Sequence, residues 1–446
     1  MTHKTLLVRP ARTPLKGKVS VPGDKSISHR TLLFGALAEG ETYATGWLPA
    51  EDCQATVQVL RALGVEITHD TPTTVRVQGV GLHGLREPED VLDCGGSGTT
   101  MRLLSGILAG QPFTSVLSGN PALRRRPMKR IADPLRMMGA SILSREMAGR
   151  QKAPLTICGG DLQAIDYMMP MASAQVKSCI LLAGLFAKGE TVVHEPGPAR
   201  DHTERLLRAM GVPVQVEGSR ISITAPTTPL HPLQGVGGVP YKIPTCPSSA
   251  AFPLVAATLV RGSQVELENV GTNRTRTGLI DILGIMGAEI KRTNPSGDEI
   301  EPTADLLVCG TELNSVEVGG EIVVRALDEF PILAVAATQA VGQTIVRDAA
   351  ELRVKESDRI SCVIQELHKM GVTFDEAPDG FTVHGPVRLH GAEVDSHDDH
   401  RLAMALAVAA LIADGETRIT RAEVIDDSFP GFVELMCELG AEMEWL

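Results

Sequence analysis

VPGDKSISHR (Val21–Arg30) sets a Pro-Gly turn before Lys25, Ser26 and Arg30, and the apolar run TLLFGALAEG follows. Polar and cationic residues at the start of an apolar helix point to an anion site. The free N–H groups and the helix dipole there favour negative charge. A nucleotide P-loop is the first reading to test. It requires G-x-x-x-x-G-K-[ST], because its glycines let backbone N–H groups wrap the phosphates. Aligned on Lys25-Ser26, the two glycine positions of that motif hold Val19 and Asp24, so the P-loop is excluded. An ordinary capped helix start, with Ser26 or Ser28 as N-cap, stays open.

The same kind of helix start recurs along the chain. Six segments share one signature: LRALGVEI (from Leu60), LRMMGASI (Leu135), LRAMGVPV (Leu207), LGIMGAEI (Leu283), LHKMGVTF (Leu367) and MCELGAEM (Met436). Leu or Met at i and i+3 makes a helical face, glycine supplies a left-handed stop, and an alternating strand follows. A second signature precedes each copy, from AEGETYATG to ADGETRITR: a helix ends at Gly40, Gly110, Gly189, Gly262, Gly342 or Gly415 and a β-branched strand begins. These glycines recur at intervals of roughly 70–80 residues, which is the size of a β/α module and not of a short solenoid repeat.

The first helix of each module starts at KSISHR, GGSGTTMR, SAQVKS, PSSAAF, LDEF or DDHR. If the helices run parallel, several of these N-termini converge on one anion-rich site. The Pro/Gly-rich stretch TAPTTPLHPLQGVGGVP, after Ile223, divides three modules from three.

At 446 residues the chain suggests two domains. Its net charge of −12 argues against a general nucleic-acid binder. It leaves room for anionic small molecules in a locally basic cleft. No apolar stretch is long enough to span a membrane, and the N-terminal segment lacks a signal-peptide pattern, so a cytoplasmic location is expected. The eight scattered cysteines form no CxxC pair, so neither a zinc site nor a disulfide framework is expected.

Several further groups carry chemistry. Gly95–Arg102 (GGSGTTMR) is a glycine-rich helix opening, and Arg124–Arg126 is a basic run in a predicted loop. Glu351, Lys355 and Arg359 fall at i, i+4 and i+8, one stripe of a predicted helix, with Glu356 at i, i+3 to Arg359. His397 and His400 form HxxH with no third placed ligand, a weak metal signal. Asp328 and Glu329 stand at a helix start, where an N-cap role explains them equally well.

Together, PGDKSISHR, GGSGTTMR, RRRPM, MASAQVKS, ARDHTE, LDEFPILAVAA, ELRVKESDR and DHRLAMA resemble the EPSP synthase family (3-phosphoshikimate 1-carboxyvinyltransferases) of the enolpyruvyl transferases. They run in the family's order from Pro22 to Ala405, and MASAQVKS with ARDHTE resembles its class II branch. The resemblance implies a two-domain, inside-out α/β barrel of six βαβαββ repeats, three per domain. Residues 20–236 would form the first domain, on the shikimate 3-phosphate side. Residues 1–19 and 237–446 would form the second, with the catalytic acids and the phosphoenolpyruvate arginines.

The implied reaction transfers the enolpyruvyl group of phosphoenolpyruvate to the 5-hydroxyl of shikimate 3-phosphate, a shikimate-pathway step toward chorismate and the aromatic amino acids. By the same resemblance, Lys25, Ser26, Arg30, Ser173, Ala174, Gln175, Arg200, Asp328 and Lys355 would hold shikimate 3-phosphate. Lys25, Gly98, Arg126, Gln175, Arg359 and Arg401 would hold phosphoenolpyruvate. Asp328 would be the base, Glu356 the acid, and Lys25 would bridge both substrates. Arginine and lysine suit two polyanions, and the addition–elimination needs a base, a proton donor and cations around the developing charge. No metal or organic cofactor, a monomer, and closure of the domains around the substrates are implied.

The chain departs from the pattern at three positions. Gly96 stands where Asn is common, Cys246 where Asp is usual, and Asp427 where one branch has a phosphoenolpyruvate-binding Lys. Two alternatives share the fold. One is a UDP-N-acetylglucosamine enolpyruvyl transferase, whose loop cysteine is missing from Gly119-NPALRRRPM; the other is a phosphate-ligand binding protein without catalysis.

Overall fold

The computed structural model describes residues 3–147, 150–296 and 300–446. They fall into two compact units. One comprises Met1–Pro22, Pro244–Asp298 and Pro302–Leu446; the other comprises Gly23–Ile243 and Glu299–Glu301. Each has its own apolar core.

The six apolar helices are α1 (Lys25–Leu37), α2 (Gly98–Ala109), α3 (Ala174–Gly184), α4 (Pro247–Leu259), α5 (Phe330–Gln339) and α6 (His400–Leu411). They are buried almost all round, which is why their sequences lack a polar face. Close approach is built in: a Cβ on Gly106 of α2 would lie 2.2 Å from the carbonyl oxygen of Cys179 in α3. The other signature helices are amphipathic, for example Glu51–Ala62 and Arg359–Lys369, and bury one face.

Six four-stranded sheets share one connectivity: a parallel pair at one edge, then two antiparallel pairings. Three sheets borrow strands from distant parts of the chain. In the Gly23–Ile243 unit, Tyr241–Lys242 pairs in parallel with Glu39–Thr45. In the other unit, β2 (Lys16–Val19) pairs in parallel with Gln264–Gly271. Strand β1 (Leu6–Arg9) lies antiparallel between Thr417–Thr420 and Glu442–Trp445, so the last module is completed by the N-terminal segment.

The predicted left-handed stops are present at all six copies: Gly64, Gly139, Gly211, Gly287, Gly371 and Gly440 have φ between 89° and 105°. The second glycine set differs from expectation. Only Gly110 follows a helix directly. Helix α1 ends at Leu37 because Ala38 is already extended, and Gly40 turns inside the following strand with φ 108°. The arginine run is also not a loop, since Asn120 caps a short helix, Pro121–Arg125, and Arg126 follows in extended conformation.

Candidate active site

The Gly23–Ile243 unit places most of its candidate residues at three helix starts, with Arg126 and Arg200 outside them. Asp24, not Ser26 or Ser28, caps α1, accepting from the Ile27 N–H at 3.0 Å. Lys25 is the first helical residue and pairs with Asp52 at 2.6 Å. Arg30, one turn on, is buried. Its guanidinium donates to the Ser26 carbonyl (3.0 Å), Thr203 Oγ1 (2.9 Å) and Ser178 Oγ (2.8 Å). Burial pushes this arginine down to about 10; Glu204 and Asp24 oppose that shift, and Arg200 adds to it. It therefore stays charged at neutral pH.

Ser97 caps α2 through the Thr100 N–H, and Gly98 opens the helix. A Cβ on Gly98 would lie 3.0 Å from Arg126 Nη1, so this glycine makes room for the arginine. Ser173 caps α3 through the Val176 N–H, with Ala174 and Gln175 next. Gln175 ties two starts together: its Oε1 accepts from Arg102 Nη1, and its Nε2 donates to Thr99 Oγ1 at 3.1 Å. Arg200 lies half-buried in the loop between Glu190–His194 and helix His202–Ala209. Just beyond it, His202 Nδ1 meets Glu301 Oε1 at 2.6 Å, both side chains buried.

Two of the departures have local explanations. Beside Gly96, the position a Cβ would take is 3.2 Å from the Asn120 amide nitrogen and 3.5 Å from Asp52 Oδ1, so neighbouring polar groups fill that space. Cys246 occupies the cap position of α4 without a side-chain cap bond. Its sulfur instead accepts from Arg276 Nη2 at 3.9 Å, and the same nitrogen donates to Ser248 Oγ at 2.8 Å.

The second unit brings five candidates together. The Asp328 carboxylate lies 3.3 Å from Arg359 Nη1, 3.7 Å from Lys355 Nζ and 4.0 Å from Arg401 Nη2. Glu356 pairs with Arg359 Nη2 at 2.9 Å. The single helical stripe expected from Glu351 to Arg359 is not formed. A 3₁₀ turn, Ala350–Val354, ends at an extended Lys355, and Asp358 caps a new helix through the Ser361 N–H. Arg353 clamps that break by pairing with Asp358 at 2.9 Å. The bend leaves Lys355 and Glu356 between two helical segments, both directed at the Asp328–Arg359 cluster.

Arg359 is held from behind by Asp399, with Nε–Oδ2 at 2.8 Å and Nη2–Oδ1 at 3.3 Å. Burial alone would lower the Arg359 pKa, but Asp399, Glu356 and Asp328 hold it above its ordinary value. Burial would raise Asp399, yet the same arginine holds it below the usual carboxylate range. Asp399 also caps α6 through the Arg401 N–H, fixing the approach of the third cation. Glu329 occupies the cap position of α5 without a side-chain cap bond; its carboxylate instead accepts from Ser248 Oγ.

Sequence reasoning left out Asp52, Arg102, Asp399 and Glu301. Arg102 and Asp399 lie within motifs already quoted, and a charged residue at an otherwise apolar helix start was the available signal. Among the described residues, no group of three or more His, Cys, Asp or Glu is placed to hold a metal ion. His397 contacts Glu366 at 2.8 Å. No helix among the described residues is long and apolar enough to cross a membrane.

The arrangement offers two kinds of chemistry. Capped helix starts with Lys25, Arg30, Arg126 and Arg200 suit anions. Two carboxylates threaded among Lys355, Arg359 and Arg401 suit proton transfer beside negative charge.

Comparison with known proteins agrees. Residues 10–436 match the family model of EPSP synthase (3-phosphoshikimate 1-carboxyvinyltransferase). The 3-phosphoshikimate 1-carboxyvinyltransferase of Geobacter sp. (strain M21) is 52% identical over 96% of this chain and 97% of its own length. That of Desulforamulus reducens is 48% identical over 98% of this chain and 100% of its own. A solved EPSP synthase from Acinetobacter baumannii superposes with a TM-score of 0.89 at 45% identity, covering 99% of this chain and 100% of that one. This chain, with its two-domain α/β fold, belongs to the EPSP synthase family.

Proposed function

We propose that the protein transfers the enolpyruvyl group of phosphoenolpyruvate to the 5-hydroxyl of shikimate 3-phosphate, releasing phosphate, in the shikimate pathway. The observation that carries this reading is the meeting of Asp328 and Glu356 on one buried arginine, Arg359, beside Lys355 and Arg401. A protein that only bound phosphate ligands would not need two carboxylates there.

In this reading Lys25, Ser26, Arg30, Ser173, Ala174, Gln175 and Arg200 bind shikimate 3-phosphate, with Asp328 and Lys355 on its ring hydroxyls. Arg126, Arg359 and Arg401 bind phosphoenolpyruvate, with Gln175 and the backbone at Gly98. Glu356 protonates the methylene carbon while Asp328 accepts the proton of the attacking hydroxyl, forming a new C–O bond. The tetrahedral adduct then loses phosphate, which leaves with the proton held by Asp328, as Glu356 takes back a proton from the methyl group and the C=C bond re-forms. Lys25 touches both substrates and stabilises the adduct. The Gly23–Ile243 unit, a few residues longer at its C-terminal end than the expected 20–236, is the shikimate 3-phosphate domain, and the other unit is the domain of the acids. The enzyme acts as a cytoplasmic monomer without metal or organic cofactor.

Phosphate release from phosphoenolpyruvate by the purified protein tests this reading. Release with shikimate 3-phosphate and none with UDP-N-acetylglucosamine is expected. The reverse pattern selects the other transferase, and binding of both substrates without turnover selects a binding protein.

A further inference from the structure

Lys177 sits in the first turn of α3, two residues after Gln175, and its side chain is 1% exposed. Its ammonium lies 2.6 Å from Glu204 Oε1 and 2.9 Å from Glu195 Oε2. A lysine shut away from water is costly, and an apolar residue of similar volume often serves stability as well. Its contacts suggest another use.

Lys177 Nζ donates to the carbonyl of Ala199 at 3.4 Å, and Glu195 Oε2 accepts from the N–H of the same residue at 3.3 Å. One buried ion pair therefore grips both polar main-chain atoms of the residue before Arg200. On the other side of Arg200, helix His202–Ala209 carries Glu204 of this cluster and Thr203. Thr203 bonds Arg30 at 2.9 Å and Ser178, the neighbour of Lys177, at 2.7 Å. Glu204 Oε2 is buried with no hydrogen-bond partner, and its charge is the strongest influence keeping Arg30 protonated. Burial raises the Glu195 carboxyl above its ordinary value, and Lys177 opposes that shift.

We propose that Lys177, Glu195 and Glu204 are positioning residues that fix the Arg200 loop against the start of α3, and so set the affinity for the phosphorylated acceptor. This rests on the assignment of Arg200 and Ser173–Gln175 to shikimate 3-phosphate. None of the three touches substrate in this scheme; they act through Ala199 and Arg200.

Steady-state kinetics of the full chain separate this role from a merely structural one. Lys177→Met is expected to raise KM for shikimate 3-phosphate about tenfold or more, with KM for phosphoenolpyruvate within about twofold and kcat within about threefold. Lys177→Arg, which keeps the charge, should recover most of the loss. Glu195→Ala keeps the Lys177–Glu204 pair but drops the bond to Ala199, and should raise the same KM about fivefold, with Glu195→Gln restoring it. Should Lys177→Met not fold, Glu195→Ala decides. An unchanged KM for shikimate 3-phosphate in folded Glu195→Ala overturns the proposal. So does an equal loss on both substrates in Lys177→Met that Lys177→Arg fails to rescue. Arg200→Ala is the control: no effect on that KM removes the site assignment itself. A large effect there, with none in the Lys177 and Glu195 variants, removes only the positioning role.

Discussion

The Asp399 carboxylate grips one edge of Arg359 at two points, Nε–Oδ2 at 2.8 Å and Nη2–Oδ1 at 3.3 Å, and both side chains are closed to solvent. The remaining face of the guanidinium meets Glu356 and Asp328. One arginine is thereby the common neighbour of the proposed acid and the proposed base.

Replacing Asp399 with Asn removes the charge that compensates Arg359 while keeping the shape. Breaking a buried ion pair costs on the order of 3–5 kcal/mol, so Asp399→Asn should lower the urea midpoint clearly. KM for phosphoenolpyruvate should also rise about tenfold as Arg359 loses its orientation. A variant equal to the parent in both respects contradicts the role given to Asp399.

Glu356 pairs with Arg359 at the bend after Lys355, in the unit that does not carry Lys25, Ser173 or Arg200. Glu356→Gln should keep the calorimetric Kd for shikimate 3-phosphate within about threefold. Its kcat should fall roughly 10²–10⁴-fold, the usual contribution of a general acid. Lost binding with preserved kcat would mean that the residue grips substrate and does not move protons.

Gly98 leaves space that Arg126 uses. In Gly98→Ala the new Cβ meets Arg126 Nη1 at 3.0 Å, and the end of that flexible side chain must shift. The helical backbone tolerates alanine, so thermal stability should hold. A weakening of phosphoenolpyruvate binding by about 1.4 kcal/mol, tenfold in KM, is expected, with the acceptor KM unchanged. Equal effects on both substrates would place Arg126 elsewhere.

His29 is fully buried on α1, with Nδ1 2.7 Å from Thr56 Oγ1. Burial pushes its pKa down to about 3, against 6.5 for the ordinary side chain; Asp52 opposes the shift, and Lys25 and Arg30 add to it. Between those pH values the unfolded chain binds a proton that the folded chain does not. Stability from this group is therefore complete above pH 6.5 and is lost as pH falls toward 3, at about 1.4 kcal/mol per pH unit. Urea titrations across that range should show this slope in the parent and a shallower one in His29→Gln. Parallel slopes would show that His29 does not supply it.

Much of this architecture is local and was legible. Gly64, Gly139, Gly211, Gly287, Gly371 and Gly440 each end an i, i+3 apolar pattern, and each has the left-handed backbone that pattern demands. The six apolar helices start where small, polar and cationic residues gather. Those features depend on backbone propensity and side-chain spacing within a dozen residues, and sequence carries both.

The partners of each charge were not legible. Lys25 meets Asp52 and Arg359 meets Asp399, across 27 and 40 residues of chain. Arg102 meets Gln175, and His202 meets Glu301. The stretch ELRVKESDR has the spacing of a continuous helix, yet Arg353 and the Asp358 cap divide it. Sequence by itself determined the repeats, the helix starts that open PGDKSISHR and its counterparts, and the residue types able to hold anions. Only the tertiary structure decided which carboxylate answers which cation, because burial makes that pairing depend on a few ångströms of separation between segments far apart in the chain.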